Sequence, residues 1–159
     1  MKIPKTYKGI PVVIPNKTPK YKKKSGVAAT ATVTRAGEPV IKVWKEHRKQ
    51  ITPRILNHEV AHIKLGHHLR EGAITKNEYY KQEKQAEQYA YHIAGGKGQL
   101  APHRLGHLLI EELHDMPKSK KKWARENPDR LKKVLVKNSS DWGFTKNEMK
   151  SAINYLDHK

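Results

Sequence analysis

The chain contains no cysteine, so none of its 159 residues can form a disulfide or offer a thiolate to a metal ion. Stability must therefore come from packing, with a bound metal ion as a further source. Aromatic side chains make up 7% of the chain, with a single phenylalanine. The hydrophobic fraction as a whole is 36%. This length and composition favour one domain with a small core.

Long apolar runs are absent as well. No stretch approaches the roughly 18 apolar residues of a membrane-spanning helix. The N-terminal residues also lack the charged, apolar and small-residue regions of a secretion signal. We therefore expect a cytoplasmic protein that neither spans a membrane nor is exported.

Acidic residues are few, and 33 lysines and arginines against 15 acidic residues give a formal net charge of +18. Such a balance favours polyanionic partners such as nucleic acid or an acidic protein, although a lysine-rich soluble surface has the same composition. No helix-turn-helix, zinc-finger or RNA-binding sheet signature accompanies the charge, so only non-specific nucleic-acid binding is expected. The candidate contacts are Lys20, Lys22, Lys23, Lys24, Lys120, Lys121 and Lys122.

The most informative pattern that is present is H-E-x-x-H, formed by His58, Glu59 and His62. Residues four apart lie on one face of an α-helix, so the two imidazoles can bind one metal ion. Glu59 lies on the flank of that face, where its carboxylate can act on a water molecule. The pattern predicts His58 and His62 as metal ligands and Glu59 as the catalytic residue.

The flanking sequence supports a helix at this motif. Thr52 and Pro53 are typical of an N-cap and a first helical residue, and Gly66 of a terminator. Leu56, Val60 and Ile63 would form an apolar face opposite the histidines. Upstream, residues 27–34 and 39–44 predict two strands joined by a turn at 35–38. We expect an extended substrate to add to the edge of the strand that ends near Trp44.

A catalytic zinc site normally has a third protein ligand. A helix predicted from Thr75 to Gly95 carries Glu83 and Glu87 four residues apart on one face. With this spacing the chain resembles the gluzincin metallopeptidases, in particular the short members found in phages and mobile elements. The resemblance covers roughly residues 27–95, and within it residues 58–67 are similar to the family's extended motif helix. We expect His67 at the end of that helix, beside the helix dipole.

The resemblance implies Glu83 as the third ligand and Glu87 as the residue that orients His58 through its other ring nitrogen. The family has Asp or Asn where this chain has Glu87, so an exchange of roles between the two glutamates stays open. The resemblance also implies Zn²⁺ as cofactor and peptide-bond hydrolysis as activity, in the host cytoplasm or in the virion if a phage encodes the chain.

Two histidines compete with Glu83. His68 has metzincin spacing, but that pattern requires glycine where Leu65 stands. His92 would make the chain similar to the SprT-like proteases, which act on proteins crosslinked to DNA. It lies half a helical turn out of phase with Glu83. We therefore favour Glu83.

A second polar stripe follows at helical spacing, formed by His103, His107, Glu111 and His114. No carboxylate triad completes a metal site there, so we expect a solvated or cleft-facing stripe. His107 and His114 are candidates for binding substrate or a developing oxyanion.

The expected architecture is α+β, a small zincin-like domain with a hairpin or small sheet, the motif helix, a glutamate-bearing metal helix and a helical C-terminal part. Residues 1–26 would form a basic arm, 27–115 the metallopeptidase core, and 116–159 a basic helical extension. The expected function is zinc-dependent peptide hydrolysis. The alternatives are a nucleic-acid-associated or virion structural protein with a metal-stabilised fold, and a DNA-coupled SprT-like protease. Protein or peptide is the expected substrate.

Overall fold

The computed structural model describes residues 1–20, 28–69, 74–102, 104–106, 108–109 and 128–157. They form a mixed α+β structure with a four-stranded sheet and several helices, as the predicted class requires. The strands are β1 (Thr6–Tyr7), β2 (Ile10–Val13), β3 (Ala29–Val33) and β4 (Pro39–Val43), in the order β1-β2-β4-β3. The helices are α1 (Pro53–Lys64), α2 (Lys76–Ile93), α3 (Pro128–Asn138) and α4 (Lys146–Asp157), with 3-10 helices at Lys45–Gln50 and His67–Leu69.

The first two strands lie within the predicted N-terminal arm. β1 and β2 are antiparallel, with Tyr7 opposite Ile10, and β2 runs parallel to β4. Lys8 and Gly9 between them have φ of 47° and 79°, as a two-residue type I′ hairpin turn requires. Side chains of β2 alternate between buried and exposed positions. Residues 6–13 therefore belong to the sheet rather than to an extended arm.

The predicted hairpin of β3 and β4 is confirmed, with Gly37 at φ 81° in the turn and Ala31 opposite Ile41. Its position in the sheet corrects one expectation, because the strand that ends near Trp44 is an inner strand, whereas β3 is an edge strand. Ala28 and Thr34 bond to the β4 side, so by alternation the N–H and C=O groups of residues 29, 31 and 33 point away from β4. Among the described strands, β3 pairs with β4 alone.

Helix α1 packs its apolar face on this sheet. Thr52 caps the helix by accepting a hydrogen bond from the Ile55 N–H, and Pro53 occupies the first turn, as predicted. Leu56 and Val60 are fully buried in one cluster with Ile41 and Val43 of β4. The predicted apolar face is thus confirmed, and His58 and His62 lie on the other side of the helix.

The chain divides into two compact units, residues 1–73 with 86–97 and residues 74–85 with 98–159. The first contains the sheet and α1. In the second, Tyr80 stacks on Trp142 with ring centroids 4.3 Å apart, and the Lys84 ammonium lies 2.6 Å from the Glu148 carboxylate. Gly106 allows a close approach to α4, because a Cβ there would lie 2.7 Å from the Glu148 carbonyl oxygen.

Within the described part of the chain, no helix has the length and apolar character needed to cross a membrane.

Truncating the sheet core should destabilise the protein strongly. Ile41 is fully buried on β4, so Ile41→Ala should lower the free energy of unfolding by about 3 kcal/mol through lost burial and a residual cavity. Ile14→Ala is the matched control, since Ile14 is 41% exposed and the same change should cost about 0.5 kcal/mol or less. Urea unfolding followed by circular dichroism, in excess chelator, measures both. Equal losses would contradict the assignment of Ile41 to the core.

Candidate metal centre

The two motif histidines lie one turn apart on α1, with ring centroids 4.7 Å apart. Their Nε2 atoms approach each other to 3.0 Å. Two nitrogens bound to one tetrahedral Zn²⁺ at about 2.0–2.1 Å lie about 3.4 Å apart. The two imidazoles are thus arranged closely enough to share one ion through Nε2.

The other ring nitrogen of His58 is held by Glu87 of α2. His58 Nδ1 lies 2.9 Å from Glu87 Oε2, and Arg54 Nη2 donates to Glu87 Oε1 at 3.0 Å. Burial by itself would raise the pKa of Glu87, but the hydrogen bond and charge of His58, together with Arg54, lower that pKa to about 2. An ionised Glu87 therefore accepts a hydrogen bond from the Nδ1–H of His58, whose Nε2 faces His62. Arg54 was not anticipated from the sequence, because a lysine- and arginine-rich chain does not single out one guanidinium.

Glu83 completes a group of three possible ligands. It lies on the continuous helix α2, one turn before Glu87, and is only 8% exposed. One ligand atom each from His58, His62 and Glu83 lie within 4.8 Å of one another, so the group could hold a metal ion. Two imidazoles and a carboxylate are a ligand set that suits zinc. The residues thus fit a divalent cation, with Glu83 in the group and Glu87 on His58.

Glu59 connects the histidine-bearing helix to the sheet edge. Its Oε2 accepts a hydrogen bond of 2.8 Å from the N–H of Ala31, one of the groups of β3 that point away from β4. The carboxylate is thereby held beside the edge strand, between the two histidines in sequence. This position corresponds to the flank predicted from helix geometry.

His67 was expected at the end of the motif helix beside the helix dipole, and it lies three residues after the last residue of α1. It is buried, and its Nδ1 lies 3.0 Å from the Nδ1 of His62. Gly66, with φ of 78°, ends the helical path and turns the chain back. Gly66 could be recognised in the sequence as the end of the helix. The direction in which His67 then points could not, because it depends on the tertiary structure.

Neither competing histidine joins the three-residue group, although both are described. His92 is exposed at the end of α2, and its Nδ1 lies 3.1 Å from the Gly96 carbonyl oxygen. His68 is half-buried in the 3-10 helix, with no hydrogen-bond partner for Nδ1 among the described residues.

Some predicted residues lie outside the described part of the chain. They are the stripe residues His103, His107, Glu111 and His114, and six of the candidate nucleic-acid contacts, Lys22, Lys23, Lys24, Lys120, Lys121 and Lys122.

Comparisons with protein-family models, curated proteins and solved structures found no match to this chain.

Removing the carboxylate ligand should release the metal. We expect Glu83→Ala to lose stoichiometric zinc after purification and dialysis, because two imidazoles alone form an incomplete site. His92→Ala serves as the control and should retain zinc, since His92 lies outside the group of possible ligands. Elemental analysis measures the zinc content of both variants. Loss of zinc from the His92 variant alone would reverse the assignment.

Proposed function

We propose that the chain is a zinc-dependent, gluzincin-like metallopeptidase. The observation that carries the proposal is the convergence of His58, His62 and Glu83. Glu59, which lies between the two histidines in sequence, is held against the sheet edge. These are the residues that a zinc-dependent hydrolysis of peptide bonds needs. The zincin-like fold and the identity of the metal belong to the proposal.

The roles of the side chains follow from their contacts. When bound by His58, His62 and Glu83, Zn²⁺ would supply Lewis-acid polarisation of a peptide carbonyl and a lowered pKa of water. The Glu59 carboxylate takes the proton from the attacking water and passes it to the departing amine nitrogen. Glu87, fixed by Arg54, orients His58 through Nδ1.

The edge strand supplies a place for an extended peptide. The backbone groups of Ala29, Ala31 and Val33 point away from β4. The Ala31 N–H donates to Glu59, and a peptide can pair with the other groups of this edge by main-chain hydrogen bonds. Glu59 bonds to the middle residue of the three. A peptide lying along β3 would therefore pass the proposed general base.

Replacing the general base should separate catalysis from metal binding. Glu59→Gln should retain zinc and lower the rate of peptide hydrolysis by about 10²–10⁴-fold, because the amide cannot accept the water proton. Cleavage of unfolded casein, followed by mass spectrometry, measures the rate. Glu38→Gln, at an exposed residue of the hairpin turn, makes the same chemical change and should leave the rate unaltered. Undiminished hydrolysis by the Glu59→Gln variant would contradict the role of Glu59 as the general base.

A basic pocket favours a second candidate function, non-specific binding to nucleic acid. The pocket has a volume of about 620 Å³, within the range of ligand sites. Its lining comprises Asn16, Lys17, Thr18, Lys20, Lys45, Glu46 and Arg48, so four cations outweigh one carboxylate. Exposed ammonium and guanidinium groups around a concave surface suit backbone phosphates. Lys20 is the predicted contact that lies in this lining.

The two functions are compatible in one chain. A protease that binds nucleic acid through this pocket would act on proteins held at that polymer, as the DNA-coupled alternative supposes. A structural protein would use the pocket and keep the metal for stability without cutting peptides.

Binding to DNA should depend on salt and on this pocket. Changing Lys17, Lys20, Lys45 and Arg48 to Gln should weaken binding to a fluorescent duplex and reduce the slope of log K against log salt by about 1 for each contacted phosphate. The matched control removes four positive charges elsewhere, at the exposed residues Lys76, Lys133, Lys137 and Lys146. Fluorescence anisotropy at several salt concentrations compares the two. Equal losses would assign binding to net charge rather than to the pocket.

A further inference from the structure

We propose that His67 is a positioning residue for His62, accepting a hydrogen bond from its Nδ1–H and thereby directing its Nε2 toward the metal. The inference rests on the proposed metal centre. It assigns a role to a histidine outside the H-E-x-x-H motif and outside the group of possible ligands.

The contact between the two rings is direct and shielded. The Nδ1 atoms lie 3.0 Å apart, the ring centroids are 5.2 Å apart, and the rings are tilted by 60°. Both residues are buried, with 8% of His62 and 9% of His67 exposed. Unless a cation lies between them, as one can at the Nε2 atoms of His58 and His62, two imidazole nitrogens at this separation need one proton between them, because two lone pairs repel and two N–H groups clash.

The direction of this hydrogen bond follows from the other nitrogen of His62. Its Nε2 faces the Nε2 of His58, on the side where the three possible ligands meet. A neutral imidazole that offers the Nε2 lone pair to a metal carries its proton on Nδ1. His62 is then the donor, and His67 is the acceptor through Nδ1, with its own proton on Nε2.

The two histidine ligands are thus oriented by different groups. His58 donates to the ionised Glu87, whereas His62 donates to a neutral ring. An acceptor of either kind fixes the tautomer and the ring plane of a metal-binding histidine. The neutral acceptor does so without adding another negative charge beside Glu83 and Glu87.

The chain reversal at Gly66 makes this contact possible. On a continuing α-helix, His67 would lie about 140° around the axis from His62 and would point away from it. Gly66 instead adopts φ of 78°, a conformation that a Cβ disfavours, and the 3-10 helix His67–Leu69 follows. The positive φ of Gly66 therefore turns His67 toward His62.

Three variants test the role of His67. His67→Leu removes the acceptor, whereas His67→Asn keeps an oxygen acceptor near the position of Nδ1. His68→Leu is the matched control on the adjacent residue, whose Nδ1 has no hydrogen-bond partner among the described residues. Circular dichroism of each apoprotein shows whether it folds. Zinc affinity is then measured by competition with a chromophoric chelator, and the Co²⁺-loaded proteins supply a visible ligand-field spectrum.

We expect His67→Leu to weaken zinc binding by about 10–100-fold and to change the Co²⁺ spectrum, because His62 loses its orientation. His67→Asn should recover at least about tenfold of that affinity with the wild-type spectrum. His68→Leu should bind as the wild type does. This pattern supports the positioning role.

Other patterns overturn it in distinguishable ways. Unchanged affinity in His67→Leu shows that the contact does not matter to the metal. Equal loss of zinc by the Leu and Asn variants, both folded, makes His67 a ligand or a packing residue instead. A wild-type protein that binds no metal removes the metal centre itself, and with it the proposed function.

Discussion

The packing of α1 on the sheet is the constraint on which the other features depend. Leu56 and Val60 are held in the same buried cluster as Ile41 and Val43, so the helix cannot rotate about its axis without exposing them. Because side chains of a helix are fixed relative to one another, burying this face sets the direction of His58 and His62 on the other. Glu59 is set by the same packing, and its hydrogen bond to Ala31 ties the helix to the edge of the sheet.

The buried polar groups around α1 form one connected series of contacts rather than separate pairs. Arg54 bonds to Glu87, and Glu87 bonds to His58, whose Nε2 faces that of His62; the second ring nitrogen of His62 then meets His67. Burying an ionised carboxylate is costly unless it is paired, and Glu87 has both an imidazole and a guanidinium. Such a network restricts the rotamers of both imidazoles and would lower the entropy cost of the proposed metal binding.

The distribution of charge separates two kinds of chemistry in one basic chain. Carboxylates are scarce, yet Glu83 and Glu87 are buried beside the histidines, whereas the cations of the pocket around Thr18 are exposed. Buried carboxylates attract a compact cation at short range, and exposed cations attract a polyanion at a range limited by salt screening. The proposed hydrolysis and the proposed nucleic-acid binding thus depend on different residues and respond to different conditions.

The sequence by itself determined what depends on neighbours within a few residues. Thr52 and Pro53 begin α1, Gly37 closes the β3–β4 hairpin, and the four-residue spacing of His58 and His62 places both on one face, all of which local geometry predicts. The approach of α2, with Glu83 and Glu87, was expected only through a family resemblance. Tertiary structure alone decided that β3 rather than β4 is an edge strand and that residues 6–13 join the sheet. It also decided that Arg54 bonds to Glu87 and that His67 contacts His62. These contacts depend on how distant segments pack or on the direction in which a turn leads the chain. Composition and periodicity predict neither of these.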